Sequence, residues 1–182
     1  METFLISTAV VGLAEIGDKT QILSLLLAAR FQRPWPIIAG IFCATLANHA
    51  VAGLAGTYFG GLLAGPWLRW ILAVSFFSVA VWALFPDKFE GGRMPRAGAF
   101  LTTLGAFFIA EIGDKTQIAT IGLAARFGQL YPVVAGTTLG MMLANIPVVL
   151  VGDRAAGRLP VRAIRIVAAL VFAALGVLTL VG

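Results

Sequence analysis

Glu15-Ile16-Gly17-Asp18-Lys19-Thr20-Gln21 sits inside a long apolar run, and the same seven residues return as Glu111-Ile112-Gly113-Asp114-Lys115-Thr116-Gln117. An acidic or basic side chain near the middle of a bilayer costs about 2.5–3.5 kcal/mol on insertion scales. Glu15, Asp18, Lys19, Glu111, Asp114 and Lys115 must therefore be paired, hydrated or liganded. Charges kept at that cost mark an ion or proton pathway.

The surroundings of the two copies are those of a membrane protein. Of the 182 residues 60% are hydrophobic and 12% charged, with a mean hydropathy of +0.98. Soluble domains carry about twice that share of charge, roughly 25%. Apolar stretches long enough to span lie at 3–29, 35–60, 66–85, 98–125, 131–151 and 160–181, given that ~20 residues at ~1.5 Å each cross the hydrocarbon core. The start, Met1-Glu2-Thr3-Phe4, has no basic n-region, so the first run is expected to be a retained helix rather than a cleaved leader. The single cysteine, Cys43, excludes an internal disulfide. Net charge is +5, but the arginines fall between apolar runs, a topology pattern rather than a nucleic-acid groove.

The chain is a duplication. Aligning 15–40 with 111–136 gives 16 identities in 26 positions, and one inserted residue brings Leu46-Ala47-Asn48 onto Leu143-Ala144-Asn145. The expected organisation is a first three-helix repeat at 1–85, a cytoplasmic linker at 86–97 and a second three-helix repeat at 98–182. Three is odd, so the second repeat enters the membrane from the opposite side. The expected fold is thus all-α, six transmembrane helices as two inverted three-helix repeats, an arrangement of secondary transporters with the substrate site at mid-depth. One face collects Arg30, Arg33, Lys88, Arg93, Arg96, Arg154, Arg158, Arg162 and Arg165; the other holds Arg69 and Arg126. The positive-inside rule makes the first of these cytoplasmic and puts both termini outside.

On a continuous helix, Glu15, Asp18 and Lys19 would share one face at i, i+3 and i+4, and Thr20 and Thr116 would point away as packing residues. Gly17 and Gly113 are the places where a break or a close helix approach could occur. Packed face to face, the halves would bring four carboxylates together, Glu15, Asp18, Glu111 and Asp114. Gln21, Gln117, Asn48 and Asn145 are candidate additional ligands or interhelical hydrogen-bond partners. Carboxylate and amide oxygens are hard donors suited to Ca²⁺, Mn²⁺ or Mg²⁺; reluctant dehydration disfavours Mg²⁺ in a dry cage. Four carboxylates and the two ammonium groups of Lys19 and Lys115 leave a charge of −2, which one divalent cation neutralises. The lysines serve as counter-ions or as gates, since a charged ammonium cannot ligate a metal. Emptied of metal, such a site takes up protons, because burial and crowding disfavour four ionised carboxylates. Metal and proton then compete for the same oxygens.

Two copies of E-x-G-D-K-[ST] in six spans of two halves resemble the Golgi-type cation/proton exchangers related to human transmembrane protein 165, grouped with the lysine-exporter superfamily. The resemblance covers essentially the whole chain. It implies a non-enzymatic antiporter that exports Mn²⁺ and Ca²⁺ from the cytosol in exchange for protons, with the cation as substrate and no cofactor. It also implies that Glu15, Asp18, Glu111 and Asp114 bind the cation. The chain departs from larger family members in its short central loop of mixed charge (Asp87, Glu90, Lys88, Arg93, Arg96). The compact chain and its charge bias suggest a bacterial inner membrane.

Other residues read more plainly. His49 has no counterpart in the second half, where Ile146 stands, and is expected to be a satisfied helix–helix hydrogen bonder. Trp35, Trp67 and Trp70 sit at span ends, as interfacial belt residues do. Two other transport readings stay open at this stage, export of a small organic cation such as a basic amino acid, and a cation channel. No Ser-His, Cys-His, zinc or phosphate-loop arrangement supports an intramembrane enzyme.

Overall fold

The computed structural model describes residues 1–63, 65–85, 97–151 and 161–181. These form eight helices: α1 (Glu2–Glu15), α2 (Lys19–Phe31), α3 (Pro34–Leu62), α4 (Pro66–Ala83), α5 (Ala99–Glu111), α6 (Lys115–Phe127), α7 (Leu130–Val151) and α8 (Val161–Val181). No strand occurs among the described residues. Of the linker at 86–97 only Ala97 is described; Lys88, Arg93, Arg96, Arg154 and Arg158 also lie outside the described residues.

Six apolar stretches become eight helices because the first and fourth are interrupted, and the interruption falls within the repeated motif each time. Ile16 and Ile112 are extended (φ −67°, ψ 119° and φ −62°, ψ 121°). Gly17 and Gly113 follow at φ +80° and +73°, in the left-handed region that costs an L side chain roughly 1–2 kcal/mol. The Gly17 N–H donates to Gln21 Oε1 at 2.8 Å, and the Gly113 N–H to Gln117 Oε1 at 2.8 Å. A backbone donor freed by each break is thus satisfied by the last residue of the motif, as a low-dielectric setting demands. The expectation that Glu15, Asp18 and Lys19 share one helical face is corrected accordingly. α1 stops at Glu15 and α2 begins at Lys19, so the carboxylates occupy a helix end, a turn and a helix start.

Packing runs across the halves rather than within them. α1 lies along α7 and, reciprocally, α5 along α3; α3 also packs on α6 and α2 on α7. Small residues permit the close crossings. A Cβ added at Gly136 would fall 2.5 Å from Phe4 O on α1, and one at the corresponding Gly40 would fall 2.9 Å from Phe100 O on α5. Such crossings are how helices bind one another where no hydrophobic drive exists between them and lipid. α4 and α8 pack on each other, α8 also along α1 and α4 along α6; neither packs substantially on α2 or α5.

Two apolar clusters flank the motif breaks. Val10, Leu72, Phe76, Ala119, Leu123, Phe172 and Leu175 join α1, α4, α6 and α8. Leu23, Leu27, Ile37, Ile41, Phe107 and Met142 join α2, α3, α5 and α7. Outward, large apolar side chains such as Trp35, Val51, Leu54, Val74, Leu143 and Leu170 are exposed, as a lipid-facing surface requires. α3, α7 and α8 (over Arg162–Val181) are long and apolar enough to cross a membrane.

Candidate cation site

Each break delivers two carboxylates to the interior. Glu15 and Glu111 end α1 and α5; Asp18 and Asp114 occupy the N-cap positions of α2 and α6. A carboxylate at a helix N-terminus meets the positive end of the helix dipole and unpaired backbone N–H groups. All four are buried, none more than 1% exposed. Gathering them in one place without compensation would be prohibitive.

Compensation comes from the opposite copy. Lys19 Nζ lies 2.9 Å from Asp114 Oδ1, and Lys115 Nζ lies 2.8 Å from Asp18 Oδ1. Each lysine therefore reaches across the pseudo-symmetry to the other motif's aspartate, and the two motifs are tied to each other by charge. Lys115 is almost wholly buried at 4% exposure, whereas Lys19 is 21% exposed.

Three of the four carboxylates converge. Glu15, Asp18 and Asp114 each offer an oxygen, and these three atoms lie within 4.8 Å of one another. That spacing lets oxygens at the ~2.3–2.6 Å bond lengths of Ca²⁺ share one ion. Glu111 does not join the set. Its Oε1 accepts from Thr45 Oγ1 at 2.8 Å, and its Oε2 faces His49 Nε2 at 3.8 Å. Glu15 is met by Asn145 Nδ2 at 3.5 Å, with Asn145 Oδ1 in turn accepting from Ser24 Oγ at 2.7 Å, and the corresponding Asn48 lies against Glu111. Glu15 Oε2 and Glu111 Oε2 have no hydrogen-bond partner among the described residues.

The neutral candidates divide by task. Gln21 and Gln117 spend their carbonyl oxygens on the two breaks, and Gln21 Nε2 also donates to Ala144 O at 2.9 Å. Asn48 Nδ2 donates to Phe108 O at 3.1 Å on α5, leaving its carbonyl oxygen uncommitted by that bond. Thr20 and Thr116 are buried rather than turned away, because the break rotates α2 and α6 relative to α1 and α5. Thr116 Oγ1 donates to Asp114 Oδ2 at 3.2 Å. The satisfied hydrogen bond expected of His49 is not found: both ring nitrogens are buried without a hydrogen-bond partner among the described residues.

Sequence reasoning missed Arg165, Thr45 and Ser24. Arg165 counts in the sequence only as a positive charge at a span end, yet its Nη2 donates to Gly17 O at 2.8 Å. A clue was available, because Arg165 stands 165 − 69 = 96 positions after Arg69, the same offset that separates Glu15 from Glu111. Thr45 and Ser24 carry no signal of their own; a hydroxyl on an apolar helix usually bonds its own backbone.

The sequence matches the family described as "Divalent cation/proton antiporter GDT1" over residues 3–91 and 99–182. A protein of Vibrio cholerae serotype O1 described as "Putative manganese exporter" is 52% identical over 174 residues, covering 94% of this chain and 87% of the relative. "GDT1-like protein 5" of Arabidopsis thaliana is 27% identical over 220 residues, covering 99% of this chain and 96% of the relative. A "GDT1-like protein" of Synechocystis is 26% identical over 203 residues, covering 94% and 93%. No solved structure matches the chain.

Proposed function

The chain belongs to the GDT1 family of divalent cation/proton antiporters, and from that premise we propose that it exports Mn²⁺, and Ca²⁺ as an alternative cargo, out of the cytosol in exchange for protons. The observation that carries the reading is the convergence of Glu15 and Asp18 from one motif copy with Asp114 from the other, three buried carboxylates with oxygens within 4.8 Å. Hard oxygen donors in that number suit a divalent cation, and their surplus of negative charge over Lys19 and Lys115 leaves a place for one. Protons occupy the same oxygens when the cation departs, so loading one expels the other. The similarity of the chain to the Vibrio cholerae protein described as "Putative manganese exporter" supports Mn²⁺ as the principal cargo.

Exchange needs two states, and an inverted repeat supplies them. Our reading is six membrane crossings in two inverted halves, 1–85 and 98–182, with the interrupted α1–α2 and α5–α6 as one crossing each. The pairing of α1 with α6 and of α2 with α5 supports the inversion, because parallel halves would set α1 against α5. In the structure α8 packs along α1 and α4 along α6, and on this reading the two helices cover the α1 and α6 end of the site. The symmetry-related state has α4 on α5 and α8 on α2, and moving between them changes which end is walled. The charge bias places the loop near 86–97 in the cytoplasm of a bacterial inner membrane, with both termini outside. After replacement of Cys43, a Gly91→Cys label should react from the cytoplasmic face; reaction from outside alone would reverse the orientation.

Binding separates this reading from export of an organic cation. Purified protein should be stabilised against thermal unfolding by Mn²⁺ and Ca²⁺ and unaffected by lysine or arginine. Stabilisation by the amino acids and not by the metals would overturn it.

A further inference from the structure

Glu111 and His49 face each other across a gap that no hydrogen bond fills. The separation of His49 Nε2 from Glu111 Oε2 is 3.8 Å, well beyond the ~2.7–3.2 Å of a hydrogen bond. Both side chains are fully buried, and neither Glu111 Oε2 nor either nitrogen of His49 has a hydrogen-bond partner among the described residues. Buried polar atoms are ordinarily satisfied, so an orphaned donor or acceptor calls for an explanation. A metal ion supplies one. Donor atoms that share one ion at bond lengths of about 2.2 Å lie about 3.1 Å apart at 90° and about 4.4 Å apart when opposite, and the observed separation falls between those limits.

The supporting groups are in place. Thr45 and His49 stand four residues apart on one face of α3, and Thr45 Oγ1 donates to Glu111 Oε1 at 2.8 Å. That bond fixes the carboxylate and leaves its other oxygen turned to the ring. The corresponding position in the second half is Ile146, and the amide of the neighbouring Asn145 is what meets Glu15 from that stretch of α7. The duplication therefore carries an imidazole at one of its two glutamates.

We propose that Glu111 and His49 form a second cation subsite beside the three-carboxylate cluster, one that takes Mn²⁺ in preference to Ca²⁺ or Mg²⁺. Imidazole nitrogen is a borderline donor that suits first-row transition metals, whereas Ca²⁺ and Mg²⁺ are held by oxygen. The all-oxygen cluster of Glu15, Asp18 and Asp114 does not make that distinction. The inference rests on the reading of the chain as a divalent-cation exporter and adds the residue pair that sets its selectivity.

The chain has one histidine, and this makes the test direct. Purified protein carrying no histidine tag is loaded with Mn²⁺ and examined by pulsed electron spin-echo spectroscopy for ¹⁴N modulation from a coordinated imidazole. The wild type should show it and His49→Gln should lose it. In proteoliposomes His49→Ile, which installs the second half's residue, should lower Mn²⁺ flux relative to Ca²⁺ flux by about tenfold. Bound Mn²⁺ without nitrogen modulation in the wild type would overturn the subsite and leave the exporter reading intact. Failure to bind either Mn²⁺ or Ca²⁺ would overturn both.

Discussion

The two motif copies are identical over seven residues and fold into the same break, yet their glutamates have different neighbours. In the first copy Glu15 and Asp18 both enter the carboxylate cluster, Glu15 is met by Asn145, and Arg165 bonds Gly17 O. In the second copy only Asp114 enters; Glu111 is held back by Thr45 against His49. The backbone geometry is written within the motif, by the left-handed glycine and the glutamine four residues later. The chemistry is written by the facing helix, α7 for the first copy and α3 for the second. A duplicated sequence thus gives a duplicated scaffold whose two glutamates have unlike surroundings.

The largest expected effect separates the two glutamates. Glu15→Gln removes a carboxylate from the shared cluster and should reduce both Mn²⁺ and Ca²⁺ flux by more than about 100-fold, beyond the ~10–100-fold that outer partners of a metal already cost. Glu111→Gln should fall harder on Mn²⁺ than on Ca²⁺. Flux assays with both ions check this, and equal losses in the two variants for both ions would erase the distinction between the copies.

Next in size is the pair of cross-copy ion pairs. Asp18→Asn removes the 2.8 Å ion pair with Lys115, which is 4% exposed, whereas Asp114→Asn removes the 2.9 Å ion pair with Lys19, which is 21% exposed and better hydrated. Breaking a buried pair costs roughly 3–5 kcal/mol, so Asp18→Asn should lower the melting temperature of the metal-free protein clearly more than Asp114→Asn does. Equal shifts would mean that the lysines are equivalent.

The smallest effect probes the contact that the second copy is not seen to share. Arg165→Gln removes a charged donor from Gly17 O, a bond worth about 1.5–3 kcal/mol when well buried and nearer the lower figure at this part-buried position. Arg165→Gln should slow transport several-fold while leaving metal-induced stabilisation in place; Arg69→Gln at the corresponding position of α4 should do less. Loss of metal binding in Arg165→Gln would make the arginine part of the cation site itself.

Much of this was legible in the residues. Mid-run charge, the doubled motif and the odd number of stretches per half point to the four carboxylates and to a scaffold of apolar helices. The breaks at Gly17 and Gly113 were visible only as an option, because glycine permits a left-handed turn without requiring one. What decides the matter is Gln21 and Gln117 closing back on the glycine N–H groups, a contact that sequence spacing allows and packing selects. The separation of Glu111 from the other three acids could not be read at all. It depends on Thr45 and His49 of α3, which approach only when the two halves interlock. His49 looked idle for the same reason, having no counterpart in the repeat.

The central claim is that cation and proton share these oxygens, and flux under an imposed pH gradient tests it most directly. With the membrane potential clamped and equal Mn²⁺ on both sides of a proteoliposome, a pH gradient should drive Mn²⁺ against the proton flow, and reversing the gradient should reverse the direction. Mn²⁺ flux indifferent to the pH gradient would contradict the account and leave a channel or uniporter in its place.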